Sequence, residues 1–137
     1  MSRYETLVFH FCIYHLPSPY SDGFYHGVVK LPEDYPFSPP EIVFLTPSGR
    51  FMVDKSICTT FTNFHKNKWS HMWTIRTMLL GVISLMTDNS EKGIGFLNTT
   101  DEVKQAYALQ SLSLNVKNEI FMKLFKDRLG SLGVNIS

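Results

Sequence analysis

The strand-like and helix-like segments of this chain are separated along the sequence, and this separation constrains the fold more than any other feature. Residues 5–15, 24–31 and 41–45 are rich in aromatic and β-branched side chains, and turn-forming residues lie between them. Three such segments with short connections predict an antiparallel meander of three strands. A short fourth strand is expected near residues 50–53.

Helical periodicity begins only in the second half of the chain. Residues 74–86 place apolar side chains three and four positions apart, which predicts a first helix. Residues 99–102 are Thr-Thr-Asp-Glu, a capping box that predicts a second helix reaching about residue 112. A third apolar stripe covers residues 116–129, and Gly130 is expected to end that helix.

The composition indicates one soluble domain. Strands followed by helices predict a single α+β domain over residues 1–137, with the sheet packed on helices. The net charge of +1, with no basic stripe, argues against nucleic acid as a partner. The two cysteines do not form a secreted disulfide framework, and the longest apolar stretch, residues 78–86, is too short to span a bilayer. We therefore expect a cytoplasmic protein.

Cys58 is the candidate nucleophile. It follows the proline-rich segment YPFSPP of residues 35–40 and the loop TPSGRF of residues 46–51. A lone thiol presented on a loop is suited to hold an acyl group as a thioester and to pass it on. The alternative is a buried, inert cysteine, which is the expectation for Cys12 within an apolar strand. His26 is likewise expected to make a structural hydrogen bond between a strand and a turn.

These motifs, taken in order, resemble a known family. YPFSPP, then Cys58, then Trp69-Ser70 and the helix sequence TIRTMLL are similar to the catalytic domain of ubiquitin-conjugating enzymes. The resemblance covers residues 5–129. The loop TPSGRF, the stretch NFH of residues 63–65 and the segment ALQSLSLN narrow it to the J-type branch, whose members are tail-anchored in the endoplasmic reticulum.

The resemblance implies a function and a set of partners. The fold would be the ubiquitin-conjugating (UBC) fold, and the activity an acyltransferase that carries ubiquitin as a thioester on Cys58. The implied partners are ubiquitin, the ubiquitin-activating enzyme, a RING-type ubiquitin ligase and substrate proteins. No metal or organic cofactor is implied. The branch further implies a role in endoplasmic-reticulum-associated degradation.

The sequence departs from the family at both ends. Family members begin with an amphipathic helix, whereas here the first strand starts close to Met1. The ending GSLGVNIS lacks the hydrophobic character of the J-type anchor. Both elements are expected to be absent, so membrane attachment at the cytosolic face of the endoplasmic reticulum would need a segment outside this sequence. Loss of the helix predicts an exposed apolar patch on the sheet or a neighbouring helix.

The resemblance also assigns roles around Cys58. Ser48 takes the place of the asparagine that stabilises the oxyanion in this family. Serine has a shorter reach and a rotating hydroxyl, so either weakened aminolysis or a different oxyanion donor is expected. His65 is a candidate base toward an amine or hydroxyl acceptor, and the alternative is a loop histidine bonded to the backbone. Asp88 and Glu91 are weaker candidates for orienting the acceptor.

Four residues match the two loops that contact the RING-type ligase in this family: Phe37, Ser70, His71 and Met72. An exposed aromatic side chain beside prolines is a plausible anchor for a partner. The alternative for Phe37 is packing under its own loop. His71 replaces the usual proline of the motif, so an altered ligase preference is expected.

Three other functions were weighed. Cys58, His65 and His71 supply three candidate zinc ligands, whereas a closed structural site needs four. Cys58 with His65 lacks the third, orienting group of a cysteine protease. A binding module that keeps the fold but has lost the thiol chemistry is the main alternative. Ser48 and the missing helix favour it, and the presence of Cys58 disfavours it.

Overall fold

The first half of the chain forms an antiparallel sheet, as predicted. The computed structural model describes residues 7–57, 69–70, 72–88 and 95–136. Strands β1 (Leu7–Tyr14), β2 (Phe24–Leu31) and β3 (Glu41–Phe44) lie in the order β1-β2-β3. Cys12 pairs with His26 across β1 and β2, and Gly27 pairs with Phe44 across β2 and β3. The central strand β2 is covered on both faces, since six of its eight residues are buried.

The fourth strand expected near residues 50–53 is not formed within the described part of the chain. That stretch makes only isolated bridges, from Phe51 to Phe96 and from Val53 to Phe44. Gly49 and Asp54 both have positive φ, at 82° and 62°. Because left-handed residues on each side interrupt the extended backbone, the segment is too short to continue the ladder.

The first two helices lie where periodicity placed them, with small shifts at their boundaries. Helix α1 spans Ile75–Thr87, and helix α2 spans Asp101–Asn115. The N-cap of α2 is Thr100, whose hydroxyl accepts from the Val103 N–H, rather than Thr99. The predicted capping box was therefore off by one residue, because the Thr99 hydroxyl donates to the Gly49 carbonyl instead. Helix α2 also extends beyond residue 112.

The third helix begins and ends later than predicted. Helix α3 spans Glu119–Ser131, and Asn118 caps it by accepting from the N–H groups of Ile120 and Phe121. Gly130 lies inside the helix and does not end it. The helix ends instead at Ser131, and the positive φ of 90° that follows it belongs to Gly133, where the Val134 N–H donates to the Leu129 carbonyl. This is the hydrogen-bonding pattern of a Schellman motif.

Helix α1 and one face of the sheet form the main core. Met78, Val82 and Met86 of α1 are fully buried, and in the sheet region the rings of Phe44 and Phe51 stack with centroids 5.2 Å apart. Helix α2 is joined to β2 through hydrogen bonds of polar side chains. Ser111 Oγ accepts from the Phe24 N–H at 2.8 Å, and Asn115 Nδ2 donates to the Phe24 carbonyl at 2.7 Å.

An apolar patch is exposed at the start of β1, as the sequence led us to expect on the sheet. Leu7 is 68% exposed, and Val8 and Phe9 are each nearly half exposed. Residues 1–6 lie outside the described part of the chain. None of the helices within the described residues has the length and apolar character needed to span a bilayer.

Candidate functional site

The proline-rich loop is joined to the segment that precedes α1. Trp69 Nε1 donates to the Pro36 carbonyl at 2.7 Å, and the Trp69 ring lies 6.1 Å from that of Trp73 and 6.3 Å from that of Tyr35. Within the loop, the Phe37 N–H donates to the Asp34 carbonyl. Since one indole links the two segments, they form a single surface. Trp69 is a structural residue of that surface.

This surface presents two apolar side chains to solvent. Phe37 is 76% exposed and Met72 is 81% exposed. Phe37 is therefore not packed under its own loop, which was the alternative considered from the sequence. Ser70 lies between the two in sequence, and its Oγ accepts from the Met72 N–H at 3.3 Å. His71 lies outside the described residues.

Ser48 is placed inside the loop that follows β3. Its side chain is fully buried, and its Oγ accepts from the N–H groups of Arg50 at 3.1 Å and Phe51 at 3.3 Å. Both bonds use oxygen lone pairs, so neither uses the hydroxyl hydrogen. The two bonds hold the oxygen in place and do not fix the direction of the O–H bond.

Arg50 is a residue of this site that sequence reasoning missed. It is only 3% exposed, although an arginine in a Gly-Arg-Phe loop would ordinarily face water. Its Nε donates to the Leu85 carbonyl at 3.1 Å and its Nη2 to the Asp88 carbonyl at 2.8 Å. Its guanidinium carbon also lies 4.6 Å from the centroid of the Phe96 ring. No local sequence signal indicates this burial, since the partners are far along the chain.

The described chain is still part of the core at Ile57, the residue before Cys58. Ile57 is fully buried, and its N–H donates to the Ile42 carbonyl of β3 at 3.0 Å. Cys58 and His65 lie outside the described residues, as does Glu91. Their roles therefore stay predictions. Among the residues that the structure describes, no group of three or more histidine, cysteine or acidic side chains could hold a metal ion.

Cys12 is placed as the sequence predicted for an inert thiol. It is partly buried in β1. Desolvation raises its pKa to about 12, and a backbone hydrogen bond with Tyr25 offsets this only partly. The thiolate, which is the reactive form, is therefore scarcely populated at neutral pH. Cys12 serves as a control in the assays below.

His26 makes the expected contact between strand and turn through its backbone, whereas its ring has a different partner. The Thr46 hydroxyl accepts from the His26 N–H at 2.9 Å, and the His26 carbonyl accepts from the Leu45 N–H at 2.9 Å. The ring is 1% exposed, and its Nε2 lies 2.8 Å from His10 Nδ1 on the neighbouring strand. Burial, aided by the nearby His10, lowers the pKa of His26 to about 4.

Comparison with known proteins supports the resemblance seen in the motifs. Residues 2–117 match the family profile described as ubiquitin-conjugating enzyme. The chain is 43% identical over 110 residues to ubiquitin-conjugating enzyme E2 34 of Arabidopsis thaliana, covering 80% of this chain and 46% of the relative. It is 39% identical over 112 residues to human ubiquitin-conjugating enzyme E2 J2, and the match covers 80% of this chain and 42% of the relative.

Two further matches agree. Ubiquitin-conjugating enzyme E2 6 of Eremothecium gossypii is 40% identical over 125 residues, covering 90% of this chain and 51% of the relative. A crystal structure of a Plasmodium yoelii protein assigned to the ubiquitin-conjugating enzymes superposes with a TM-score of 0.50 at 26% identity, covering 85% of this chain and 69% of that one. The chain spans about half the length of these curated relatives. The profile match over most of its residues shows that the chain belongs to the ubiquitin-conjugating enzyme family.

Proposed function

We propose that this chain accepts ubiquitin as a thioester on Cys58 and transfers it to lysine or hydroxyl groups of substrate proteins. The observation that carries the proposal is the family match over residues 2–117, which includes Cys58. The Cys58 thiolate attacks the carbonyl carbon of the thioester that joins ubiquitin to the activating enzyme. That carbon–sulfur bond breaks, and the departing thiolate takes up a proton. Because one thioester replaces another, the step is close to neutral in energy and needs no metal or organic cofactor.

Incubation with ubiquitin-activating enzyme, ubiquitin and ATP is expected to yield a ubiquitin adduct that reductant cleaves. Cys58→Ala should abolish the adduct completely, because no other thiol is placed to accept the acyl group. Cys12→Ala is the matched control and should load like the wild type, since its thiol is protonated and partly buried. A Cys58→Ala protein that still forms the adduct, or a wild-type protein that forms none, would refute the proposal.

The second candidate is a ubiquitin-binding or scaffold module without thiol chemistry. Ser48 favours it, because a fully buried side chain that already accepts two N–H bonds replaces the asparagine implied by the resemblance. The loading assay separates the two functions. A folded wild-type protein that binds ubiquitin in solution but forms no reductant-sensitive adduct would establish the module.

We assign the transfer step to Ser48 and His65, with the acceptor oriented by Asp88 and Glu91. The Ser48 hydroxyl hydrogen is not used by the two bonds that its oxygen accepts, so it can donate to the oxyanion of the tetrahedral intermediate. An asparagine carbonyl can accept the same two N–H bonds while its NH₂ group donates. His65 can take the proton from a hydroxyl acceptor.

We therefore expect Ser48→Asn to speed discharge of the loaded enzyme to free lysine by about tenfold, since a well-placed oxyanion donor is worth more than that. His65→Ala should slow discharge to serine more than discharge to lysine, because a hydroxyl needs a base more than an amine does. Both rates are measured as loss of preformed thioester. Ser48→Asn at the wild-type rate, or His65→Ala at the wild-type rate with serine, would remove the respective assignment.

We place the RING-type ligase on the surface formed by Phe37, Ser70, His71 and Met72. The exposure of Phe37 and Met72 supports this, because large apolar side chains in solvent are typical anchors of an interface. In the same discharge assay, Phe37→Ala should lose stimulation by a RING domain while its unstimulated rate is unchanged. Full stimulation of Phe37→Ala would place the ligase elsewhere.

We assign the protein to the J-type branch, acting at the cytosolic face of the endoplasmic reticulum in protein degradation. The similarity to E2 J2 and E2 6, together with the TPSGRF loop, supports this assignment. The test is fractionation of cells that express the natural protein. Recovery outside the endoplasmic-reticulum membrane fraction would contradict it.

A further inference from the structure

Arg50 contacts the end of a helix that is distant in sequence. A buried guanidinium is costly unless its N–H groups find acceptors. Here the acceptors are the carbonyls of Leu85 and Asp88, at 3.1 and 2.8 Å. Both lie at the C-terminal end of α1, where the helix dipole concentrates partial negative charge. Helix α1 has no basic residue in its own last turn. Arg50, from another segment, supplies the positive charge that stabilises this end of the helix.

The same residue also contacts the segment that precedes α2. The Arg50 carbonyl accepts from the Leu97 N–H at 2.7 Å, and its guanidinium lies over the Phe96 ring. Two residues later, the Met52 N–H donates to the Gly95 carbonyl at 2.8 Å. Residues 50–52 therefore connect the end of α1 to the chain that enters α2.

The Ser48 hydroxyl is bonded to the backbone that carries the Arg50 side chain. The Arg50 N–H is one of the two donors to Ser48 Oγ, and the Phe51 N–H is the other. The guanidinium holds this turn against the end of α1. A displacement of Arg50 would therefore move Ser48 relative to Asp88.

We propose that Arg50 is a positioning residue for the transfer step, holding the Ser48 hydroxyl and the Asp88 end of α1 in a fixed relation. The proposal rests on the proposed function, in which Ser48 stabilises the oxyanion and Asp88 faces the acceptor. Arg50 acts through these groups rather than on the acyl carbon, because its guanidinium is engaged by two carbonyls. The two contacts with the Leu85 and Asp88 carbonyls use different nitrogens of the planar guanidinium group. Lysine carries its donors on a single nitrogen and cannot reproduce both contacts.

The experiment measures loading and discharge separately for Arg50→Lys. Loading on Cys58 is expected to stay within about twofold of wild type, while the maximal rate of discharge to free lysine falls about tenfold, because a small misplacement of catalytic groups is costly. The lysine concentration at half-maximal rate should change little. Arg128→Lys is the matched control, since Arg128 is an exposed arginine in the last turn of α3.

A double-mutant cycle separates positioning from a general loss of stability. If Arg50 acts through Ser48, Arg50→Lys should slow a Ser48→Ala protein far less than it slows the wild type. All rates are taken at a temperature at which melting curves show each variant folded. If Arg50→Lys does not fold, Arg50→Gln replaces it in the cycle, because glutamine can still donate to one carbonyl.

The outcomes distinguish this proposal from the function on which it rests. A wild-type protein that never loads overturns both. A wild type that loads and discharges, with Arg50→Lys behaving like Arg128→Lys, overturns only the role of Arg50. Independent effects of Arg50→Lys and Ser48→Ala, a parallel loss of loading and discharge, or failure of both Arg50 variants to fold would each overturn it as well.

Discussion

Gly95→Ala is expected to lower the free energy of unfolding by about 3 kcal/mol, from two costs that act together. Gly95 has φ of 92°, a region that L side chains rarely adopt. A Cβ built on it would lie 2.5 Å from the Ser56 carbonyl oxygen, which is backbone and cannot rotate away. The backbone would have to move, and with it the Gly95 carbonyl that accepts from the Met52 N–H. Urea denaturation measures the loss.

Two other glycines separate these costs. Gly133 has φ of 90° with nothing within 4 Å of a built Cβ, so Gly133→Ala carries only the conformational cost, about 1 kcal/mol. Gly130 lies inside α3 with open space around it, so Gly130→Ala should instead stabilise by about 0.5–1 kcal/mol. Equal losses for Gly95→Ala and Gly133→Ala would show that the contact with Ser56 is relieved without cost.

Lowering the pH from about 6.5 to about 4 is expected to remove up to about 3 kcal/mol of stability through His26 alone. The pKa of His26 falls from its ordinary value of 6.5 to about 4 in the folded protein, first because of burial and second because of His10. Below pH 6.5 the unfolded chain binds a proton that the folded protein refuses, so unfolding is favoured. Above pH 6.5 this contribution is fully present.

The packing around His26 explains why its ring stays neutral. Its Nε2 already meets His10 Nδ1, and the rings of Phe121 and Phe125 lie against it at 5.6 and 5.8 Å between centroids. Phe121 and Phe125 both belong to α3. Acid should therefore loosen the contact of α3 with the sheet before it unfolds the core around α1.

The measurement is the slope of unfolding free energy against pH between 4 and 7. His26→Gln should lower the slope by the contribution of one bound proton, which is at most about 1.4 kcal/mol per pH unit. His10→Gln should keep most of it, because burial is the larger cause. The exposed His15 supplies the control, since His15→Gln removes a histidine that lies outside the buried contact. A His26→Gln protein with the wild-type slope would rule His26 out.

Most of the architecture could be read from local patterns. The strands at 24–31 and 41–45 and the helix at 74–86 were located to within a residue or so, because hydrophobic periodicity depends only on neighbouring positions. For Phe37 the sequence left both exposure and packing under its own loop open, and the structure decided for exposure. The predicted start of α2 was wrong because a side chain there forms a hydrogen bond with a residue far along the chain.

Thr99 and Thr100 illustrate that limit. Both are good caps, and the sequence favoured Thr99 because Glu102 lies three residues later. The structure uses Thr100, because the Thr99 hydroxyl is taken by the Gly49 carbonyl far upstream. In the same way, Gly130 resembled a helix end, yet the positive φ is found at Gly133. Local propensity was satisfied at both places, and a long-range contact or the final turn geometry decided between equivalent residues.

The sequence by itself determined the order of strands and helices, the assignment to a family and the choice of Cys58 as the candidate nucleophile. Each of these depends on residue types at fixed spacing along the chain. Only the tertiary structure decided that Arg50 is buried against the end of α1 and that His10 meets His26. These contacts join segments that fold next to one another only when the sheet and helices pack. Their energies come from burial and geometry, and no local pattern encodes either one.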